Sequence, residues 1–220
     1  MTHAPIEGVV VGKHPLVSRL MKGIYNQRPP QPRYTSTWDV QVVLDHVRGW
    51  GSTASLGRKQ LSQKLAMLMV LANASRCSEL HALHVGRMRF NEDGVTFSLA
   101  ELIKTSKPGK SKILFYPFLA SDKELCPIVT LGEYLRKMVK DRKESKLFLS
   151  YVRSYNPVKP CSIARWLKEI LVEAGYQDFR AHSTRGAAVS AAYSQGMSVD
   201  IIKIADWSSD NMFRRYYHKL

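Results

Sequence analysis

Residues Gln60 to Asn73 read as a helix with almost no polar face, so it can only sit in the middle of a folded domain. Its apolar run, Leu65 to Ala72, is far too short to cross a bilayer. A buried helix needs partners on every side, and a chain of 220 residues is long enough to supply them. After Thr37, a candidate N-cap, Val40, Val43, Leu44 and Val47 recur at i, i+3, i+4 and i+7, and Gly49 with Gly51 closes that helix. Thr130-x-x-Glu133 reads as a capping box opening a helix to about Arg142, and Ile163 to Ala174 as a further helix stopped by Gly175. Between Asn73 and Thr130 the period changes. Val85 to Phe90, Val95 to Leu99 and Ile113 to Phe118 are short runs rich in branched and aromatic residues, with Asn91-Glu92-Asp93-Gly94 as a turn between the first two. From His182 three short helices are expected, broken at Gly196 and after Trp207, with Ser198 and Ser209 as N-caps. The expected fold is mainly α with a small antiparallel three-stranded β-sheet, an α+β domain over residues 38–220. Residues 1–37 read as an arm or linker. There a short helix around Leu16 to Tyr25 precedes Arg28-Pro29-Pro30-Gln31-Pro32-Arg33, which cannot continue a helix.

The charge narrows the partners. Lys and Arg number 33 against 18 Asp and Glu, and a net charge of +15 favours a polyanion, nucleic acid first among them. A membrane partner is not expected: neither a basic amphipathic helix nor a lipidation signal stands out, and residues 1–20 lack the charged start and apolar core of a secretory signal. Cys77, Cys126 and Cys161 show no C-x-x-C spacing, which argues against structural zinc and fits a reducing, intracellular setting. No cofactor is expected. Gly109-Lys110-Ser111 resembles the end of a phosphate-binding loop, but Lys104 stands where that loop needs its first glycine, and no carboxylate cluster suits magnesium.

The residues with chemistry lie mostly near the end. His182-Ser183-Thr184-Arg185 opens one helical stretch, Trp207 closes the next, and Tyr216 follows Trp207 by nine positions. Upstream, Arg76-Cys77-Ser78-Glu79 begins just past the buried helix. Lys104, Lys107, Lys110 and Lys112 crowd a turn without an acid. The order Arg76, Lys104, His182-x-x-Arg185, Trp207 and Tyr216 resembles the tyrosine recombinase (phage integrase) family, and its wording looks most like the recombinases of DIRS-type retrotransposons.

That resemblance implies metal-independent cleavage and rejoining of double-stranded DNA through a 3′-phosphotyrosine, by a homo-oligomer, a tetramer on paired sites, and in a eukaryotic host a nuclear location. Tyr216 would be the nucleophile; read alone, Tyr216 and Tyr217 pack with Met212 and Phe213, and the step from Trp207 selects Tyr216. Arg76 and Arg185 would clamp the non-bridging phosphate oxygens, since a guanidinium offers a planar fork that Lys lacks. Glu79, three residues on, would aim Arg76, or the two would form a plain surface ion pair. Lys104 would protonate the leaving 5′ oxygen, with Lys107 as its rival. Lys107, Lys110 and Lys112 otherwise read as contacts to backbone phosphates. His182 would take or share the Tyr216 proton or bind the phosphate, and Trp207, a donor only, would bond a phosphate oxygen or pack behind Tyr216.

The sequence also departs from the family pattern. Thr184 and Gly186 flank the second arginine where Leu and His are more usual. Four residues follow Tyr216, where many relatives carry a segment that docks on a neighbouring protomer. The resemblance runs from about residue 37 to the end. Residues 1–37 resemble only the connector to a DNA-clamping domain, so a fragment of a longer element-encoded protein is expected. A catalytically inactive DNA-binding remnant is the alternative. An RNA-associated basic protein would explain the charge but not the ordered set.

Overall fold

The computed structural model describes residues 5–29, 31, 33–99, 101 and 112–198. The chain divides into a first unit, Met1–Thr35, and a second, Ser36–Leu220. In the first, Ile6 and Val9 pair across a turn, and Pro15–Gln27 forms helix α1 with Pro15 at its first position. α1 ends ahead of Pro29 and buries none of its residues; Leu16, Leu20, Met21, Ile24 and Tyr25 are exposed.

The second unit is helical with one small sheet. Helix α2 is Val40–Arg48, α3 Arg58–Asn73, and α4 the short Cys77–His81. Strands β1 (Met88–Asn91), β2 (Gly94–Ser98) and β3 (Ile113–Pro117) follow, then helices α5 (Pro127–Met138), α6 (Pro160–Glu173) and α7 (Ser183–Ser194). The sheet is antiparallel in the order β1-β2-β3, the small three-stranded sheet expected from the sequence. Gly94 pairs with Asn91 across the tight first turn, and a Cβ there would lie 2.1 Å from the Tyr116 carbonyl oxygen on β3, so no other residue fits without moving the sheet.

Helix α3 is the centre. Every residue from Leu61 to Val70 is buried, and α5, α6, α7 and β3 surround it. Removing side chains such as Leu65 and Met69 from water contributes about 1.5–3 kcal/mol each. The run includes Ser62, Gln63 and Lys64, whose polar atoms need partners there. Ser62 Oγ donates to the Arg58 carbonyl (2.8 Å), Gln63 Nε2 donates to Glu169 on α6 (2.7 Å), and Lys64 Nζ lies 3.5 Å from Glu124. Burial pulls the Lys64 ammonium below its ordinary pKa, and Glu124 opposes that shift.

Several local expectations are corrected. The N-cap of α2 is Asp39, not Thr37: its Oδ1 accepts from Gln41 N (2.8 Å). Helix α5 starts at Pro127, before the supposed capping box, because proline takes the first helical position without losing a hydrogen bond. Thr130 Oγ1 then donates back to the Cys126 carbonyl (3.0 Å), and Glu133 pairs with Arg136 instead of capping. The same helix ends at Met138, and Arg142 lies beyond it, its guanidinium donating to the carbonyls of Lys146 and Leu147. Val85–Arg87 is a 3-10 turn that leads into β1. Among the described residues no helix is long and apolar enough to cross a membrane.

Candidate active site

Arg76 is delivered by the way α3 ends. Ala74 adopts a left-handed conformation (φ 47°, ψ 36°), Ser75 N bonds back to the Val70 carbonyl, and Arg76 emerges extended as the N-cap of α4. An arginine cannot cap with its side chain, so the cap is made from the other end. Glu79 Oε2 accepts the Arg76 backbone N–H (2.7 Å) while Glu79 Oε1 accepts from Arg76 Nη1 (3.0 Å). A carboxylate as buried as Glu79, 1% exposed, needs that compensation. It has a second cation: Lys112 Nζ lies 3.0 Å from the same Oε1. Two positive groups on one carboxylate leave this corner net positive.

The opposite corner is the start of α7. His182 is its N-cap and Arg185 lies one turn in, 4% exposed. Ser183 Oγ accepts from the indole N–H of the buried Trp38 (3.0 Å) and donates to the Arg180 carbonyl (2.7 Å), which fixes the first turn against the segment before α2.

The two corners face one cleft of about 300 Å³, lined by Arg76, His182 and Arg185 with Ser75, Cys77 and Ser78 between them. The positive end of the α7 macrodipole adds to the two guanidinium charges, so the cleft favours an anion. Burial pushes the Cys77 thiol up to about 11, so at neutral pH it is a protonated side chain and no competing nucleophile. Arg185 also borders a second hollow of about 270 Å³, where Glu79 and Lys112 meet apolar residues of β3 and α7 such as Ile113, Leu114, Ala188 and Val189. Among the described residues no group of three or more His, Cys, Asp and Glu is placed to hold a metal ion.

Of the residues singled out from the sequence, Arg76, Glu79, Lys112, His182 and Arg185 are thus located. Lys104, Lys107, Lys110, Trp207, Tyr216 and the rival Tyr217 lie outside the described residues. Two contacts had no signal in the sequence: the Trp38–Ser183 bond, between positions far apart, and the pairing of Lys112 with Glu79.

A helical domain around one buried helix, with a small antiparallel three-stranded sheet, is the catalytic-domain architecture of a DNA-rejoining enzyme family. The profile of the phage integrase family matches residues 44–220, and the chain belongs to that family. No curated protein matches the sequence. Solved structures with the same fold include the XerH site-specific recombinase bound to a palindromic difH substrate in a post-cleavage complex (TM-score 0.62, 14% identity, covering 84% of this chain and 50% of that one). Others are the XerA recombinase (TM-score 0.61, 19% identity, 93% and 70%) and a lambda integrase tetramer bound to a Holliday junction (TM-score 0.55, 13% identity, 92% and 56%). The chain therefore spans half the length of the XerH chain it matches.

Proposed function

We propose that this chain cuts and rejoins DNA strands as a tyrosine recombinase catalytic domain, with residues 38–220 as that domain and residues 1–37 as the arm leading into it. The observation that carries the reading is the common cleft of Arg76, His182 and Arg185. In the proposed reaction the Tyr216 oxygen bonds to phosphorus as the bond to the 5′ oxygen breaks. His182 takes or shares the phenol proton or hydrogen-bonds the phosphate, and the leaving 5′ oxygen takes a proton from Lys104, with Lys107 as the alternative donor. Arg76 and Arg185 offset the charge that grows on the non-bridging oxygens, Glu79 aims Arg76, and Trp207 donates to the phosphate or packs behind Tyr216. The phosphotyrosine stores the cleaved bond, so its reversal by a new 5′ hydroxyl rejoins the strand without a cofactor or an external energy source.

The partner is double-stranded DNA, gripped through its backbone by basic residues including Lys107 and Lys110. The active assembly is a homo-oligomer, a tetramer on paired sites, a reading supported by the lambda integrase tetramer on a Holliday junction among the structural matches. The finer kinship with DIRS-type retrotransposon recombinases, integration of a mobile element and an intracellular, in a eukaryote nuclear, location rest on the wording of the motifs.

Incubating the protein with a nicked suicide duplex and resolving the products in SDS tests this. The expected result is a covalent protein–DNA adduct that is lost in Tyr216→Phe and kept in Tyr217→Phe, with DNA binding that weakens steeply as salt rises. Absence of adduct across substrates would instead favour a DNA-binding remnant.

A further inference from the structure

We propose that Lys112 is a positioning residue for Arg76, acting through Glu79 rather than by gripping DNA. The inference rests on the recombinase reading above, because it assigns Arg76 to the scissile phosphate. Lys112 is the residue immediately before β3, and its carbonyl accepts from Leu99 N (2.9 Å), which ties it to the sheet register where Ile113 opposes Ser98. Its side chain, 20% exposed, reaches across to α4 and places Nζ 3.0 Å from Glu79 Oε1. Arg76 Nη1 is also 3.0 Å from that oxygen.

Charge explains why the arrangement matters. Glu79 orients Arg76 but also opposes it, since a guanidinium paired one-to-one with a carboxylate presents a neutral pair to an incoming phosphate. A second cation on the same oxygen offsets the carboxylate, so that Arg76 stays aimed while the corner keeps one net positive charge for the phosphate. The sheet thereby contributes to an arginine that belongs, in sequence, to the end of α3. A lysine gripping a backbone phosphate would instead add affinity without altering what Arg76 presents.

Single-turnover adduct formation on the nicked duplex, at saturating DNA, distinguishes these roles in Lys112→Met, Lys112→Arg, Glu79→Gln and the double variant Lys112→Met/Glu79→Gln. Lys112→Met is expected to slow adduct formation by about tenfold to a hundredfold, the range for residues that orient a reacting group's partner, with DNA affinity and its salt slope unchanged. Lys112→Arg keeps the charge and should stay within about threefold of the parent protein. In the Glu79→Gln background the Lys112→Met change should have little further effect, because the carboxylate it offsets is gone. Melting curves identify any variant that fails to fold, and for those the comparison rests on Lys112→Arg and the double variant. The inference is overturned if Lys112→Met leaves the rate unchanged, if its effect multiplies with that of Glu79→Gln, or if its loss appears as weaker binding with a salt slope lower by about one, the mark of a backbone-phosphate contact. An unmodified protein that forms no adduct at all contradicts the recombinase reading instead.

Discussion

Around Arg76 the site is a half-open corner built on a shared carboxylate, and around Arg185 it is set inside a buried helix. Arg76 stands on the N-cap of the five-residue α4, its side chain 28% exposed, fixed by the carboxylate that it shares with Lys112. Arg185 lies inside the twelve-residue α7, 4% exposed, on a helix whose buried Ala187 and Val189 join the core and whose first turn is tied to Trp38. The difference teaches that two arginines facing one cleft carry different loads. One position can lose its chemistry and leave the fold standing, whereas the other carries fold and chemistry together.

The sharpest way to break this contrast is to truncate each arginine. Arg76→Ala and Arg185→Ala are both expected to slow adduct formation several hundredfold, about 10²–10³ for a donor aimed at developing charge. In denaturant melts they should part company: Arg185→Ala loses about 2–3 kcal/mol as a buried side chain is removed from the helix, and Arg76→Ala about 1 kcal/mol. Equal losses of stability would erase the distinction.

Next in size is the anchor of α7. Ser183→Ala leaves the Trp38 indole N–H buried without its acceptor and should cost about 1–2 kcal/mol. A disturbed first turn should slow cleavage without changing the salt dependence of binding, and a variant that melts like the parent protein would show that the Trp38–Ser183 bond does not anchor α7. The smallest effect is at the other corner. Ala74 sits in the left-handed region with a Cβ, so Ala74→Gly should raise stability by about 0.5–1 kcal/mol in the same melts, leaving the rate nearly unchanged because glycine takes the same turn and the charge network around Arg76 is untouched.

The fold was legible where pattern and physics coincide. The burial of Leu61 to Val70 appears directly in the composition of that helix, and the shift from helical periodicity to short runs of branched and aromatic residues marks the three strands. Boundaries were less legible because the same residues serve two purposes. Thr130-x-x-Glu133 has the spacing of a capping box, yet Pro127 starts the helix earlier, while the carboxylate that does reach an N-cap N–H is Glu79, behind an arginine that no capping pattern includes. Helix α3 also begins before its apolar stretch and buries Ser62, Gln63 and Lys64: Ser62 bonds back to Arg58 within the helix, Gln63 bonds to Glu169 on α6, and Lys64 has the Glu124 carboxylate nearby. At the site, Arg76, His182 and Arg185 attract notice because guanidinium and imidazole groups carry chemistry in their own right. The contacts that hold them do not: Trp38 to Ser183 and Lys112 to Glu79 join distant positions, and such pairings exist only once the chain has folded.

The central claim is that Arg76 and Arg185 offset charge on one scissile phosphate. The most direct measurement is single-turnover cleavage by Arg76→Ala and Arg185→Ala of duplexes carrying either the ordinary phosphate or an uncharged methylphosphonate at the cleavage position. A neutral linkage carries one negative charge fewer on its non-bridging positions throughout the reaction, so the several-hundredfold deficits expected on phosphate should shrink to about tenfold or less. Deficits of the same size on both linkages would contradict the claim.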